Sequence, residues 1–441
     1  MVNLASLDPE APHRVAVVGA GISGLTCAHA MTQHTAWDVT VFEARTRLGG
    51  HADTQYIEGL DGPSFPVDTG FIVFNDRNYP NFRRLIGDLG LQPTPTNMSF
   101  SVSLPGPSGA GAFEYNGGGV RGLFAQPSNV LRPRFWRLLR GIVRFNGLAR
   151  QALKDPAQGD RSLGSWLSEH GFGEDVVNRY LLPMAGAVWS ASPERIRDFP
   201  IGSLFHFLDN HGLLELNNRP QWYSLRGGSQ TYVRALADAT PANFIIGDPV
   251  LSVHRTERGV EVRRAEGQHD HFDALVMACH GDDALSLLGD SDPLEEELLG
   301  AFQYSENRVY LHSDPSHMPV RKAAWACWNY MGTGTAEDDP IAVSYWMNAL
   351  QELKTEQLMV VTLNPSTEPR HVHRQLTYRH PQFDAPARQA QKRRSELQGH
   401  RRVWYAGAHW RWGFHEDGVV SGLTAVQSMG APVTVLGEME E

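Results

Sequence analysis

Cysteine is scarce in this chain: three residues in 441, Cys27, Cys279 and Cys327, far apart in sequence. With no C-x-x-C pair there is neither a disulfide framework nor a cysteine zinc site, and no metal is expected. Lysine is scarce too. Only four of the 39 basic residues are lysine (Lys154, Lys322, Lys354, Lys392), so positive charge is nearly all arginine. An excess of positive charge is also lacking. The formal net charge is -10, which argues against nucleic acid as the main partner. No apolar run approaches the roughly 20 residues of a transmembrane helix. The first dozen residues lack the basic and apolar regions of a signal peptide, so the cytoplasm is the expected compartment. The length exceeds a single core and suggests two or three domains.

What is present is concentrated near the start. Val15 to Val18 is a short apolar run rich in β-branched residues, as a buried parallel strand requires. The turn Gly19-Ala20-Gly21-Ile22-Ser23-Gly24 follows, and Leu25, Ala28 and Met31 then recur at helical spacing. In such a strand–turn–helix unit the first glycine permits the turn, the second lets backbone approach a pyrophosphate, and the third packs helix on strand. The helix N-terminus, opened by Ile22 and Ser23, offers N–H groups and a positive dipole end to phosphates. Val39 to Phe42 reads as the second strand and ends in Glu43, the expected acceptor for a ribose hydroxyl. A second glycine pair, Gly49-Gly50, comes just afterwards, with Arg45, Arg47 and His51 around it. That pair fits either a second approach to the same cofactor's phosphates or a plain hairpin turn.

Gly19-x-Gly21-x-x-Gly24, then Glu43-Ala44-Arg45, then Arg47-Leu48-Gly49-Gly50 resembles the FAD-binding opening of the flavin amine oxidase superfamily. That superfamily includes monoamine and polyamine oxidases, phytoene desaturases and protoporphyrinogen oxidase. The resemblance implies FAD, expected to be non-covalent, in place of NAD. Where the family pattern usually has Arg after the glycine pair, this chain has His51. Asp68-Thr69-Gly70 resembles the family segment that runs under the flavin ring, and Pro249-Val250 the segment whose backbone meets the adenine. Near the C-terminus, Ala406-Gly407 followed by Asp417-Gly418-Val419 resembles the strand and last helix that close on the flavin. There Gly418 and Val419 are expected to aim N–H groups at the flavin pyrimidine. Ala408-His409 stands where the family usually has an acid, and its aromatic position falls near His415. Amine oxidases commonly place a lysine near the flavin, but the matching strand, Glu306 to His312, has none. His415 and His409 are therefore the expected catalytic groups, unless they merely hold the turn. Val67 to Pro80 and Gly413 to Gly418 are also similar to a bacterial branch of NAD/FAD-binding, amine-oxidase-like proteins. Members of that branch are often encoded beside cyclopropane-fatty-acid synthase relatives.

Between these segments the pattern changes. Residues 103–119 are rich in Gly, Pro and Ser and read as a long loop. Residues 130–154 read as a basic helix, with Phe135, Trp136, Leu139, Ile142, Val143 and Phe145 as its apolar face. Its 132–150 stretch fits either contact with an anionic membrane surface or core packing with a solvated face. Residues 301–365 carry aromatics on strand-like runs.

The expected fold is α/β: a Rossmann-like FAD-binding domain with a doubly wound parallel sheet and an inserted α+β substrate domain. The first would comprise 13–100, 222–300 and 400–441. The second would comprise 101–221 and 301–399, a helical insert plus a mostly antiparallel sheet. The expected activity is FAD-dependent removal of a hydride from a C–N or C–C bond of a small or lipid-like substrate. Two alternatives stand beside it: a desaturase or saturase of fatty acyl or isoprenoid lipids, and a non-catalytic FAD-binding partner of a lipid-modifying enzyme.

Overall fold

The computed structural model describes residues 6–60, 62–105, 112–189, 193–215, 219–265, 267–332 and 342–437. Arg14–Val18 is the middle strand of a five-stranded parallel sheet. Its neighbours are Asp38–Glu43 and Ala274–Met277, and Asn243–Ile246 and Val403–Tyr405 take the edges. Val15, Ala16 and Val17 have no exposed surface, because both faces of the sheet are covered. One face carries the helices Ile22–His34 and His415–Ser428. These two helices touch along glycine: a Cβ on Gly422 would fall 2.7 Å from the Ser23 carbonyl oxygen. The other face is covered by a three-stranded antiparallel sheet, Val250–Thr256, Gly259–Arg264 and His269–Phe272. The segment 245–253, which reads in sequence as one hairpin arm, is thus two strands in two sheets. Gly247, at φ +80°, turns the chain between them.

A buried ion pair ties these two sheets together. Arg255 reaches from the antiparallel layer to Glu295, at 2.8 and 2.9 Å, and Tyr405 on the edge strand donates its O–H to the same carboxylate at 2.8 Å. Glu295 has no exposed surface. Glu295→Ala would strip the buried Arg255 guanidinium of its two-pronged partner and leave it Asp290 alone, 3.0 Å away, and should lower stability by about 2 kcal/mol. Replacing Arg255 and Glu295 together by Met and Leu should cost less. Urea unfolding of both variants checks this, and an equal or smaller loss in the single variant would refute it.

The second large sheet has seven strands, in the order Val372–Pro381, Tyr304–His312, Val360–Leu363, Ala342–Trp346, Trp328–Met331, Phe100–Leu104, Phe113–Asn116. It is antiparallel except where Trp328–Met331 meets Phe100–Leu104. The loop expected over 103–119 is corrected here: Ser103 and Leu104 end a strand and Phe113–Asn116 is another, with the helical turn Val120–Leu123 just after it. The alternation Phe113-Glu-Tyr-Asn outweighs its Gly-rich flanks, while 106–111 lie outside the described residues. The helices of 133–210 enclose an ordinary core around Phe145, Trp166 and Phe205, all at most 1% exposed. The helix Pro133–Ala152 buries Phe135, Leu138, Phe145, Asn146 and Ala149. Trp136 and Val143, expected on its apolar face, point outward at 42% and 53% exposure. No helix among the described residues is long and apolar enough to cross a membrane.

Candidate active site

The parallel strands deliver their carboxyl ends to one edge of the sheet, the place where this class of sheet binds ligands. Gly19, Glu43, Cys279 and Gly407 lie at or just beyond four of those ends. Gly19 takes φ +105°, which a side chain would not tolerate, and Gly24 packs so closely that a Cβ would sit 1.9 Å from the Gly19 carbonyl oxygen. Gly21 is different. A Cβ there would meet nothing closer than Gly50 Cα at 3.9 Å. The Gly49-Gly50 pair is no plain hairpin. Gly49 bridges Gly21, and the Gly49 N–H donates to the Ala20 carbonyl at 2.8 Å. The two glycine turns therefore form one backbone surface around Gly21.

The side chains around it divide into committed and uncommitted groups. Arg47 donates to the carbonyls of Gly50 and Ala52 and, at 2.6 Å, to Asp53, so it fastens the second turn and has no fork left for a phosphate. Ala44 and Arg45 are exposed, and Arg45 forms no ion pair among the described residues. Glu43, buried, accepts the Ala20 N–H on one oxygen and the Arg45 N–H on the other, at 3.0 and 2.9 Å. Each oxygen keeps a lone pair for a further donor such as a ribose hydroxyl. Ile22 and Ser23 are buried at the helix start, and Val250 packs in the same cluster as Phe42, the neighbour of Glu43. An open backbone cradle, a free cation and a carboxylate with spare acceptor capacity fit a bound dinucleotide.

Asp68 does not join this surface through its side chain. It has no exposed surface and accepts from Thr54, from the Ser229 N–H and hydroxyl, and from Gln351. Burial pushes its pKa up to about 6. Thr69 is likewise held, by Tyr378 at 2.8 Å and the Asp53 carbonyl at 3.0 Å. Gly70 abuts the backbone of His51, whose carbonyl oxygen would lie 2.1 Å from a Cβ there.

His51 leads into a cluster of imidazoles. Its ring centroid is 5.8 Å from both His280 and His380, and 5.3 Å from Tyr378. Burial, then the neighbouring His380 and His280, push the His51 pKa down to about 3. Its Nε2 is buried without a partner. Burial also lowers His280, and takes His380 to about 4. The Asn307 amide lies 3.0 Å from His380 Nδ1. As donor it fixes Nδ1 as the acceptor and leaves the proton on Nε2.

The histidines expected to be catalytic are placed differently. The His415 ring stacks on Phe71 with centroids 3.6 Å apart, stands edge-on to Phe82, and shares a 2.6 Å hydrogen bond from Nε2 to the Tyr232 hydroxyl. It sits in an aromatic box, neutral, with its pKa driven by burial to about 3. His409 packs on Phe302 and against Gly407, and burial lowers its pKa well below the usual value. Both are buried, whereas His380 is only half-buried. The expected N–H donors are also corrected. Helix His415–Ser428 starts early enough that the Gly418 N–H is already taken, by the Phe414 carbonyl at 3.1 Å, and Val419 lies deeper still in the helix. Asp417 accepts from the Trp412 and Phe414 N–H groups and caps the turn. Gly407 donates to the Ser421 hydroxyl.

The sequence reading passed over His280, although its place just past a buried strand, where ligands gather, was a signal that could have found it. His380 carried no such signal, because it arrives only through the pairing of Val372–Pro381 with Tyr304–His312.

A family model described as flavin containing amine oxidoreductase matches residues 22–326. A relative named as a flavin-containing monoamine oxidase of Mycobacterium tuberculosis is 28% identical over 350 residues, 75% of this chain and 70% of that one. Among solved structures, a fatty acid isomerase from P. acnes that produces CLA superposes with a TM-score of 0.67 at 13% identity, over 95% of this chain and 98% of the other. Cyclohexylamine oxidase from Brevibacterium oxydans superposes with 0.65 at 17% identity, over 95% and 98%. At these identities the structural likeness shows the fold.

Proposed function

The chain belongs to the flavin containing amine oxidoreductase family and is an FAD-dependent oxidoreductase, and we propose that it removes a hydride from a C–N or C–C bond of a small or lipid-like substrate, with FAD held non-covalently. The division into a discontinuous FAD domain (13–100, 222–300, 400–441) and a substrate domain (101–221, 301–399) is part of this reading. FAD supplies the two-electron acceptor. The Gly19–Gly24 and Gly49-Gly50 turns would cradle its diphosphate, Arg45 would face that charge, and Glu43 would accept from the ribose.

The observation that carries the choice of chemistry is the group His51, His280 and His380 beside those turns. Each has its pKa lowered, so the group is neutral at pH 7. No lysine stands on the facing strand Tyr304–His312. Neutral imidazoles, with the nearby Asp282 and Asp283 engaged by Arg379, suit a reaction in which the substrate gives up a hydride without first pairing with a fixed charge. His380, oriented by Asn307, would hold its proton at Nε2 as a donor toward the bound pair. The missing lysine favours a second reading, desaturation or saturation of an acyl or isoprenoid chain. Non-covalent attachment is supported by the thiols. Burial raises Cys27 and Cys279 to about 12, and raises Cys327 too, so none is a thiolate ready to bond flavin.

Anaerobic mixing with a panel of amines and of unsaturated or methylated acyl lipids tests the reading. Bleaching of the flavin by an amine is the expected result for C–N oxidation, and bleaching by an acyl lipid for the second reading. No bleaching by either class overturns both. Acid precipitation should release the flavin to the supernatant, and a yellow pellet would refute non-covalent binding.

A further inference from the structure

We propose that the surface built by residues 120–150 docks this protein onto an anionic lipid bilayer. The inference stands independently of the flavin chemistry. Between Tyr115 and Lys154 the sequence holds seven arginines and no carboxylate, in a chain whose net charge is -10. The charge is segregated, and the fold keeps it on one exposed stripe. Arg137, Arg140 and Arg150 follow each other along the outer face of helix Pro133–Ala152, and Arg121 projects from the adjacent turn. None of these four forms an ion pair among the described residues. Arg134, by contrast, is paired with Asp175.

Apolar side chains stand at the N-terminal end of the same stripe. Leu131 is 85% exposed, Val120 74%, Val130 47% and Trp136 42%. They belong to one surface: Trp136 donates its indole N–H to the Val130 carbonyl at 2.9 Å and packs against Phe124, next to the Val120–Leu123 turn. Val320, 81% exposed, borders that surface through Arg321 and Lys322. Of the carboxylates that flank this stretch in sequence, Glu114 is buried and taken up by Arg321, and Asp155 lies beyond the C-terminal end of the helix, away from the apolar side chains at its start.

Exposed apolar side chains ringed by unpaired arginines match the interface of a bilayer. The arginines meet anionic headgroups while Leu131, Val120 and Trp136 enter the acyl boundary. A nucleic acid would satisfy the charge and leave Leu131 and Val120 in water. The lipid is therefore the occupant.

Co-sedimentation of the FAD-loaded protein with vesicles of phosphatidylcholine alone, or of phosphatidylcholine with phosphatidylglycerol, is the test. Binding is expected to the anionic vesicles only, and to fall as salt rises. Arg137→Glu and Arg140→Glu should each weaken it by about fivefold or more, the effect of one basic residue near such a surface. Leu131→Ser should weaken it at all salt concentrations. Arg374→Glu, on a distant exposed strand, should not change it. Equal binding to both vesicle types, no binding at low salt, or retention on single-stranded DNA without vesicle binding would each overturn the proposal. Circular dichroism of each variant keeps a folding defect from passing as lost binding.

Discussion

Taking the protein from pH 7 to pH 5 is expected to remove most of its stability. The folded chain holds His51, His312 and His415 with pKa values near 3, and His211 and His380 near 4, with burial the first cause in each. In the unfolded chain each returns to about 6.5. Below that pH the unfolded state binds protons that the folded state refuses, so stability falls as acid is added. At pH 5 each of the five histidines accounts for about 2 kcal/mol of the loss, on the order of 10 kcal/mol together. That matches the whole stability of an ordinary domain. Asp68 and Asp417 act the other way. Burial raises both to about 6, so the folded state takes up their protons first, and acid stabilises it by about 1 kcal/mol each at pH 5. The histidines outweigh them several-fold. Thermal unfolding followed by circular dichroism at pH 7, 6 and 5 measures the balance. A midpoint that stays flat across that range would mean the imidazoles are not held neutral.

Gly21→Val should separate folding from cofactor capture. Nothing in the protein approaches within 3.9 Å of a Cβ at that position, so the apoprotein should melt within about 2 °C of the parent. The open side of Gly21 is where a diphosphate would touch backbone, and a branched side chain would hold it off. FAD affinity should fall on the order of a thousandfold, about 4 kcal/mol. Gly24→Val is the contrasting variant. Its Cβ collides with the Gly19 carbonyl, so it should lose the fold as well as the flavin. Apoprotein melting and flavin titration of the two variants decide the matter. Retained FAD affinity in Gly21→Val, or equal melting in both, would refute the assignment.

The strand–glycine–helix unit and Glu43 were legible because their signals are local: a short apolar run, a fixed glycine spacing, and a carboxylate at a strand end. What was not legible was non-local. Asp68 was placed by the resemblance of its segment, while the partners that hold its side chain, Ser229 and Gln351, lie far along the chain. Trp136 was placed on one apolar face with Phe135 and Phe145 by periodicity alone, yet Phe135 and Phe145 are buried and Trp136 is not. Which side of a helix is covered depends on what packs there, and Val130 draws the indole outward. His415 was read as reactive from its place in a turn, while Phe71 and Tyr232, which box it in, carry no signal near position 415.

The contact between helices Ile22–His34 and His415–Ser428 sets the timing of biogenesis. The ribosome releases the first helix early and its cover almost last. Until Gly422 can settle on Ser23, the nascent chain carries an apolar helix that was meant to be inside, and the Val403–Tyr405 strand that finishes the sheet is also still missing. Local elements can form during synthesis, but the flavin cradle cannot close until nearly the whole polypeptide has emerged. Loading with FAD is therefore a post-translational event. A chain stalled before position 415 would be both colourless and prone to aggregate.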